Sequence, residues 1–143
     1  MKEKLNCVLM IDDDEPTNFF NKIIVKQSGC TDHIMVVQSG QQALDYLKSN
    51  TGKDDEEINP GPSLIFLDIN MPAMNGWEFL EEYKKLNHNQ RGKVIMVMLT
   101  TSLFPEDIMR AEEMPEISGF EHKPLTTEKL NKILEKHFSI CES

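Results

Sequence analysis

The stretch LIFLDINMPAMNGWEFL, from Leu64 to Leu80, decides the fold. It opens on four apolar residues, Leu64 to Leu67, that stop abruptly at Asp68. A run this short, apolar throughout and bounded by polar turns, suits a strand buried on both faces of a parallel sheet. Beyond Asn70, Met71 and Pro72, the residues Trp77, Leu80 and Tyr83 recur at helical spacing behind Gly76. The stretch is one strand followed by one helix, with a carboxylate at the junction.

The same unit repeats in both directions along the chain. Cys7 to Ile11 and Val94 to Leu99 are further apolar runs, and weaker strands read at Ile34 to Val37 and Ile117 to Phe120. Helical patterns fill the intervals. Phe19, Phe20, Ile23 and Ile24 form a stripe that Pro16 opens and Gly29 closes. Ser39 and Gln42 read as a capping box ahead of Ala43, Leu44 and Leu47. Phe104, Ile108 and Ala111 precede Pro115, while Leu130, Ile133, Leu134 and His137 mark a last helix. All of these stripes are read as core packing. Strand then helix, five times over, specifies an α/β fold with a parallel sheet and helices on both sides.

A chain of 143 residues fits one domain with one core, and neither an internal repeat nor a linker divides it. Ser49 to Pro62 is a long polar stretch and reads as a loop before the third strand. The net charge of −9 makes nucleic acid a poor direct partner, because an acidic surface repels phosphate backbones. Cys7, Cys30 and Cys141 have neither metal-ligand spacing nor an even number, which points to a reducing, cytoplasmic setting. The apolar run after Asn6 is too short for a signal peptide or a membrane span.

In an open α/β sheet, sites form at the carboxyl ends of the strands. There the sequence places Asp12, Asp13 and Asp14 after the first run, Asp68 after the third, Thr100, Thr101 and Ser102 after the fourth, and Lys123 after the fifth. Each alone has a structural reading: Asp14, Asp68 or Ser102 as a helix cap, Thr100 as a partner for a strand-end backbone group, Lys123 as a solvated lysine. Together they say more. Carboxylates crowded at one edge need a compensating charge, and a hard divalent cation such as Mg²⁺ supplies it. A cation, a lysine and a hydroxyl around an aspartate are the equipment for phosphoryl transfer to that aspartate.

Four segments, VLMIDDDEPTN, LIFLDINMPAMNGWEFL, VIMVMLTTS and FEHKP, make the chain resemble the receiver domain of bacterial two-component response regulators, of the single-domain chemotaxis type. The likeness runs from Leu5 to Phe138. It implies a flavodoxin-like (βα)5 fold with strand order 2-1-3-4-5 and no appended output domain. It implies that Asp68 is the phosphoacceptor. Asp13 would hold Mg²⁺ directly, Asp12 directly or through water, with Asp68 and the backbone carbonyl of Asn70 completing the set; Mn²⁺ would substitute. Thr100 and Lys123 would contact the phosphoryl group, Phe120 would take the place of the switch aromatic, and Lys123-Pro124 would be a cis peptide. The implied partners are a sensor histidine kinase or histidine phosphotransfer protein, and a protein target docking on the fourth helix, fifth strand and fifth helix. The sequence departs from the family pattern in three ways: Phe120 lacks the hydroxyl of a tyrosine, Thr101 replaces a smaller residue, and Asp14 adds a third acid.

Two other readings share parts of this set. A hydrolase of the haloacid-dehalogenase type also forms an aspartyl phosphate, but its nucleophile follows the first strand in an Asp-x-Asp motif. Here the acidic pair comes first, and Asn70 stands where that motif has its second acid. A receiver-like module that never uses phosphate would lack an acid, the threonine or the lysine, and none is missing. The choice between docking output and onward relay to a second histidine protein stays open.

Overall fold

The strands come first in the order of construction, since their pairing sets where every loop emerges. In the computed structural model, which describes residues 4–49, 62–86, 94–101 and 104–138, five parallel strands form one sheet in the order β2-β1-β3-β4-β5. They are β1 (Val8–Ile11), β2 (Ile34–Val37), β3 (Leu64–Leu67), β4 (Ile95–Thr100) and β5 (Gly119–His122). The helices are α1 (Glu15–Ser28), α2 (Gly40–Lys48), α3 (Gly76–Tyr83), α4 (Pro105–Glu113) and α5 (Thr127–Phe138). Ser102, Cys141 and nearly all of the polar stretch from Ser49 to Pro62 lie outside the described residues.

Alternation along the strands splits the interior into two layers. Leu9, Ile11, Ile65, Leu67, Met96 and Met98 face α2, α3 and Ala111 of α4. Val8, Met10, Leu64, Phe66, Val97 and Leu99 face Val25 of α1 and Leu130, Ile133 and Leu134 of α5. Because β1 and β3 pair in register from Val8–Leu64 to Ile11–Leu67, Asp12 and Asp68 emerge side by side. The fifth strand runs Gly119–His122, two residues later than the expected Ile117 to Phe120. As an edge strand it is only half-buried and carries Glu121 and His122, so an apolar run does not mark it. Its pairing of Thr100 with His122 delivers Lys123 beside the end of β4.

The helix ends follow their caps. The Asp14 side chain accepts from the Thr17 backbone N–H at 3.0 Å, Pro16 stands in the first turn, and Gly29 closes α1 at φ 70°. Of the readings given for Asp14, the helix cap is the one the structure shows. The Thr17 side chain and backbone bonds hold the Asp14 carboxyl below its ordinary pKa. A depressed folded-state pKa contributes stability above the unfolded value, and that contribution is lost as pH falls. Asp14→Ala is expected to lower the melting temperature at pH 7, with the gap to the native chain narrowing on acidification below about pH 4; thermal scans at several pH values check this. On α2, Ser39 accepts from Gln42 N–H at 3.1 Å, but the Gln42 side chain accepts from Gln38 N–H rather than closing a box with Ser39. The full box belongs to α3, where Asn75 and Glu78 bond each other's backbone at 2.8 and 2.9 Å.

Two apolar stripes do not pack as expected. On α1 the buried residues are Asn18, Asn21 and Val25, while Phe19 and Phe20 are 64% and 65% exposed. The reason is the polar company at that end of the sheet: the inward face of the first turns meets Asp12 and Asp68, so amides stand there and the phenyl rings turn outward. On α4 only Ala111 is buried, and Phe104 precedes the helix with its ring in solvent.

Candidate functional site

At the carboxyl edge of the sheet, three strand ends bring four charged side chains together. Carboxylate oxygens of Asp12, Asp13 and Asp68 lie within 4.8 Å of one another, with Asp12 and Asp68 buried and Asp13 exposed. The Lys123 Nζ is 2.6 Å from Asp12 Oδ2 and 3.5 Å from Asp68 Oδ1. The edge is supported from below. Asp68 N–H donates to the Ile11 carbonyl at 3.0 Å and Asp12 N–H to the Val37 carbonyl at 3.2 Å. The Asn18 amide donates to the Asp12 carbonyl at 2.8 Å, and the Asp14 N–H donates to Asp12 Oδ1 at 3.0 Å.

The electrostatics follow from that crowding. Burial, then the neighbouring charge of Asp12, raises the Asp68 carboxyl from 3.8 to about 6, against the pull of Lys123. For Lys123, burial works to lower the pKa, but the Asp12 hydrogen bond and the charges of Asp12 and Asp68 prevail and hold it above its ordinary value. Three carboxylates with one ammonium leave excess negative charge, and two or three carboxylates with an exposed side suit a hard divalent cation.

The remaining expected site residues lie on β4, on β5 and in the loop after β3. Thr100 is fully buried as the last residue of β4, and its carbonyl accepts from Lys123 N–H at 2.8 Å. Asn70 is exposed in the loop leaving Asp68. Phe120 is half-buried on β5, against the α2–α3 layer and edge-on to His122 at 5.5 Å. The Lys123-Pro124 peptide is cis. In the same loop as Asn70, Ala73 adopts φ 68°, a left-handed conformation that a residue with a side chain holds at some cost.

Sequence reasoning missed three supporting residues: Asn18, Gly76 and Lys129. A Cβ on Gly76 would stand 2.6 Å from the Asp68 carbonyl oxygen and 2.9 Å from the Ile69 Cα, so α3 begins directly against the backbone of the central aspartate. Gly76 N–H donates to the Ile69 carbonyl at 2.7 Å. The legible signal was an Asn-Gly pair at the head of a helix; what it touches was not legible.

Comparison with known proteins agrees with the geometry. Residues 8–135 match the response regulator receiver domain family. The probable methanogenesis regulatory protein FilR2 of Methanothrix harundinacea is 28% identical over 130 residues, spanning 90% of this chain and 79% of that one. A two-component response regulator from Cytophaga hutchinsonii superposes with a TM-score of 0.83 at 33% identity, over 96% of this chain and all of that one. The Mn²⁺-bound form of Rcp1, a response regulator of Synechocystis, superposes at 0.69 with 25% identity over 96% and 97%. With the sheet order, the acidic edge and this match in hand, the chain belongs to the response regulator receiver domain family of two-component systems.

Proposed function

We propose that this receiver domain is a phosphorylation-dependent switch that takes a phosphoryl group from a phosphohistidine onto Asp68. The observation that carries the reading is the buried Asp68 carboxylate, grouped with those of Asp12 and Asp13 and reached by the Lys123 ammonium, which also pairs with Asp12. Asp12, Asp13, Asp68 and the Asn70 carbonyl would hold Mg²⁺. That ion, when bound, offsets charge on the transferring phosphoryl oxygens. Mn²⁺ serving in its place is supported by the Mn²⁺-bound form of Rcp1.

An Asp68 oxygen attacks phosphorus in line; the O–P bond forms as the P–N bond to the donor imidazole breaks, and that electron pair returns to the ring. Lys123 and the Thr100 hydroxyl contact oxygens of the new acyl phosphate. Thr100 shifts toward them, and Phe120 turns into the space released. The surface of α4, β5 and α5 is thereby repacked for a protein target, as a shift between two populated states. Hydrolysis of the acyl phosphate resets the switch, and the domain catalyses nothing beyond its own phosphorylation and dephosphorylation. No helix among the described residues is long and apolar enough to cross a membrane.

The test is intact mass after incubation with acetyl phosphate, with and without Mg²⁺, on the native chain and Asp68→Asn. One Mg²⁺-dependent phosphoryl adduct is expected on the native chain and none on the variant. An adduct that persists in the variant moves the acceptor elsewhere, and turnover of small phosphate esters without a stable adduct would favour a hydrolase.

A further inference from the structure

Lys129 occupies the first turn of α5, where unpaired backbone N–H groups and the helix dipole disfavour a cation. Its ammonium does not turn to solvent. Nζ donates to the His122 carbonyl at 2.7 Å and to the Pro124 carbonyl at 3.1 Å, the two residues on either side of Lys123. The root of the side chain is fixed as well, because Lys129 N–H donates to Thr126 Oγ1 at 3.1 Å. On the opposite side, Lys123 N–H donates to the Thr100 carbonyl at 2.8 Å. The backbone of Lys123 is thus held between β4 and α5, and the grip from α5 comes through a charged donor, which is roughly twice as strong as a neutral one.

Attachment of α5 does not require this contact, since Leu130, Ile133 and Leu134 already bury its inner face. Lys84 and Lys85, just past the end of α3, show the ordinary alternative, in which each ammonium pairs at the surface with a glutamate three residues earlier. What the Lys129 bridge sets is the backbone from which Lys123 reaches 2.6 Å to Asp12 and 3.5 Å to Asp68. A small displacement of that backbone is felt at Nζ, and a misplacement near 1 Å at a reacting centre costs on the order of a hundredfold in rate.

We propose that Lys129 is a positioning residue for phosphoryl acceptance, acting on Asp68 only through Lys123; this role rests on the receiver reading above. The experiment follows the rate of acyl phosphate formation from acetyl phosphate at saturating Mg²⁺, on the full chain. It compares native protein, Lys129→Met, Lys129→Arg, Lys123→Met and the double variant Lys123→Met/Lys129→Met. Lys129→Met is expected to label about tenfold more slowly, the scale of a partial misplacement. Lys129→Arg retains most of the rate, because a guanidinium can also donate to two carbonyls. In the Lys123→Met background, loss of Lys129 makes no further difference. A purely structural lysine predicts otherwise: the same fold-loss with or without Lys123. That result, or a native rate in Lys129→Met, overturns the role. A native chain that accepts no phosphoryl group from acetyl phosphate or a phosphohistidine donor overturns the receiver reading and the role with it, whereas a labelled native chain with an unaffected variant overturns the role alone. Should Lys129→Met fail to fold, Lys129→Gln, which can still donate to one carbonyl, gives the same contrast at a smaller loss.

Discussion

Asp68→Asn is expected to melt higher than the native chain at pH 7 in metal-free buffer, by roughly 6 °C, although it removes the proposed phosphoacceptor. The sign comes from the Asp68 carboxyl, raised from 3.8 to about 6 by burial and by Asp12. A raised acid binds its proton more tightly in the folded state, so between those values the folded chain holds more protons than the unfolded one. The native protein therefore loses stability as pH rises from about 4 to about 6, and above that the full deficit of roughly 2–3 kcal/mol applies. The amide removes the buried charge and its repulsion with Asp12. At this chain length each kcal/mol moves the midpoint by about 2–4 °C. Below about pH 4 native Asp68 is protonated too, and the two melting curves are expected to converge. Saturating Mg²⁺ is expected to narrow or reverse the order, since on the proposed function the ion would stabilise the folded state and the variant would lack one of its proposed ligands. Calorimetric scans at pH 4, 5 and 7 with and without the ion check each part. A variant less stable than native at pH 7 without metal would mean that the Lys123 contact outweighs the burial cost.

Gly76 carries the second large effect. Placing alanine for glycine in a helix ordinarily stabilises it by about 1 kcal/mol. Here the sign is expected to reverse. The new Cβ would stand 2.6 Å from the Asp68 carbonyl oxygen, 2.9 Å from the Ile69 Cα and 3.3 Å from the Asp68 carbonyl carbon. These are backbone atoms of the strand end and cannot swing aside like the tip of a side chain. Gly76→Ala is expected to cost about 2 kcal/mol and Gly76→Val about 3 kcal/mol or more, the range of overpacking in a closed site. Because the obstructed atoms belong to Asp68 and Ile69, relief of the clash also displaces the aspartate, so the rate of phosphoryl acceptance is expected to fall in the variants that still fold. Urea unfolding of both variants beside the native chain measures the first effect, and acetyl phosphate labelling the second. Native-like stability in Gly76→Val would show that α3 can back away from β3 at little cost.

Sequence alone determined the strand-and-helix alternation, because a strand buried on both faces must be apolar at every position and β1, β3 and β4 advertise themselves that way. It also determined which acids, hydroxyls and lysine stand at the carboxyl ends, since chain order and the α/β topology place them there. Only the tertiary structure decided how α1 is turned. Of its stripe of Phe19, Phe20, Ile23 and Ile24, only Ile24 packs against the core, partly buried, while full burial falls on Val25 and on Asn18 and Asn21 at the polar end of the sheet. Periodicity reports which residues share a side of a helix; it does not report what that side meets. The frame of β5, the approach of Gly76 to the Asp68 backbone and the reach of Lys129 across Lys123 were likewise outside the sequence's reach. Each is a contact between segments whose spacing depends on how the layers close, and no local pattern of residue types encodes that distance.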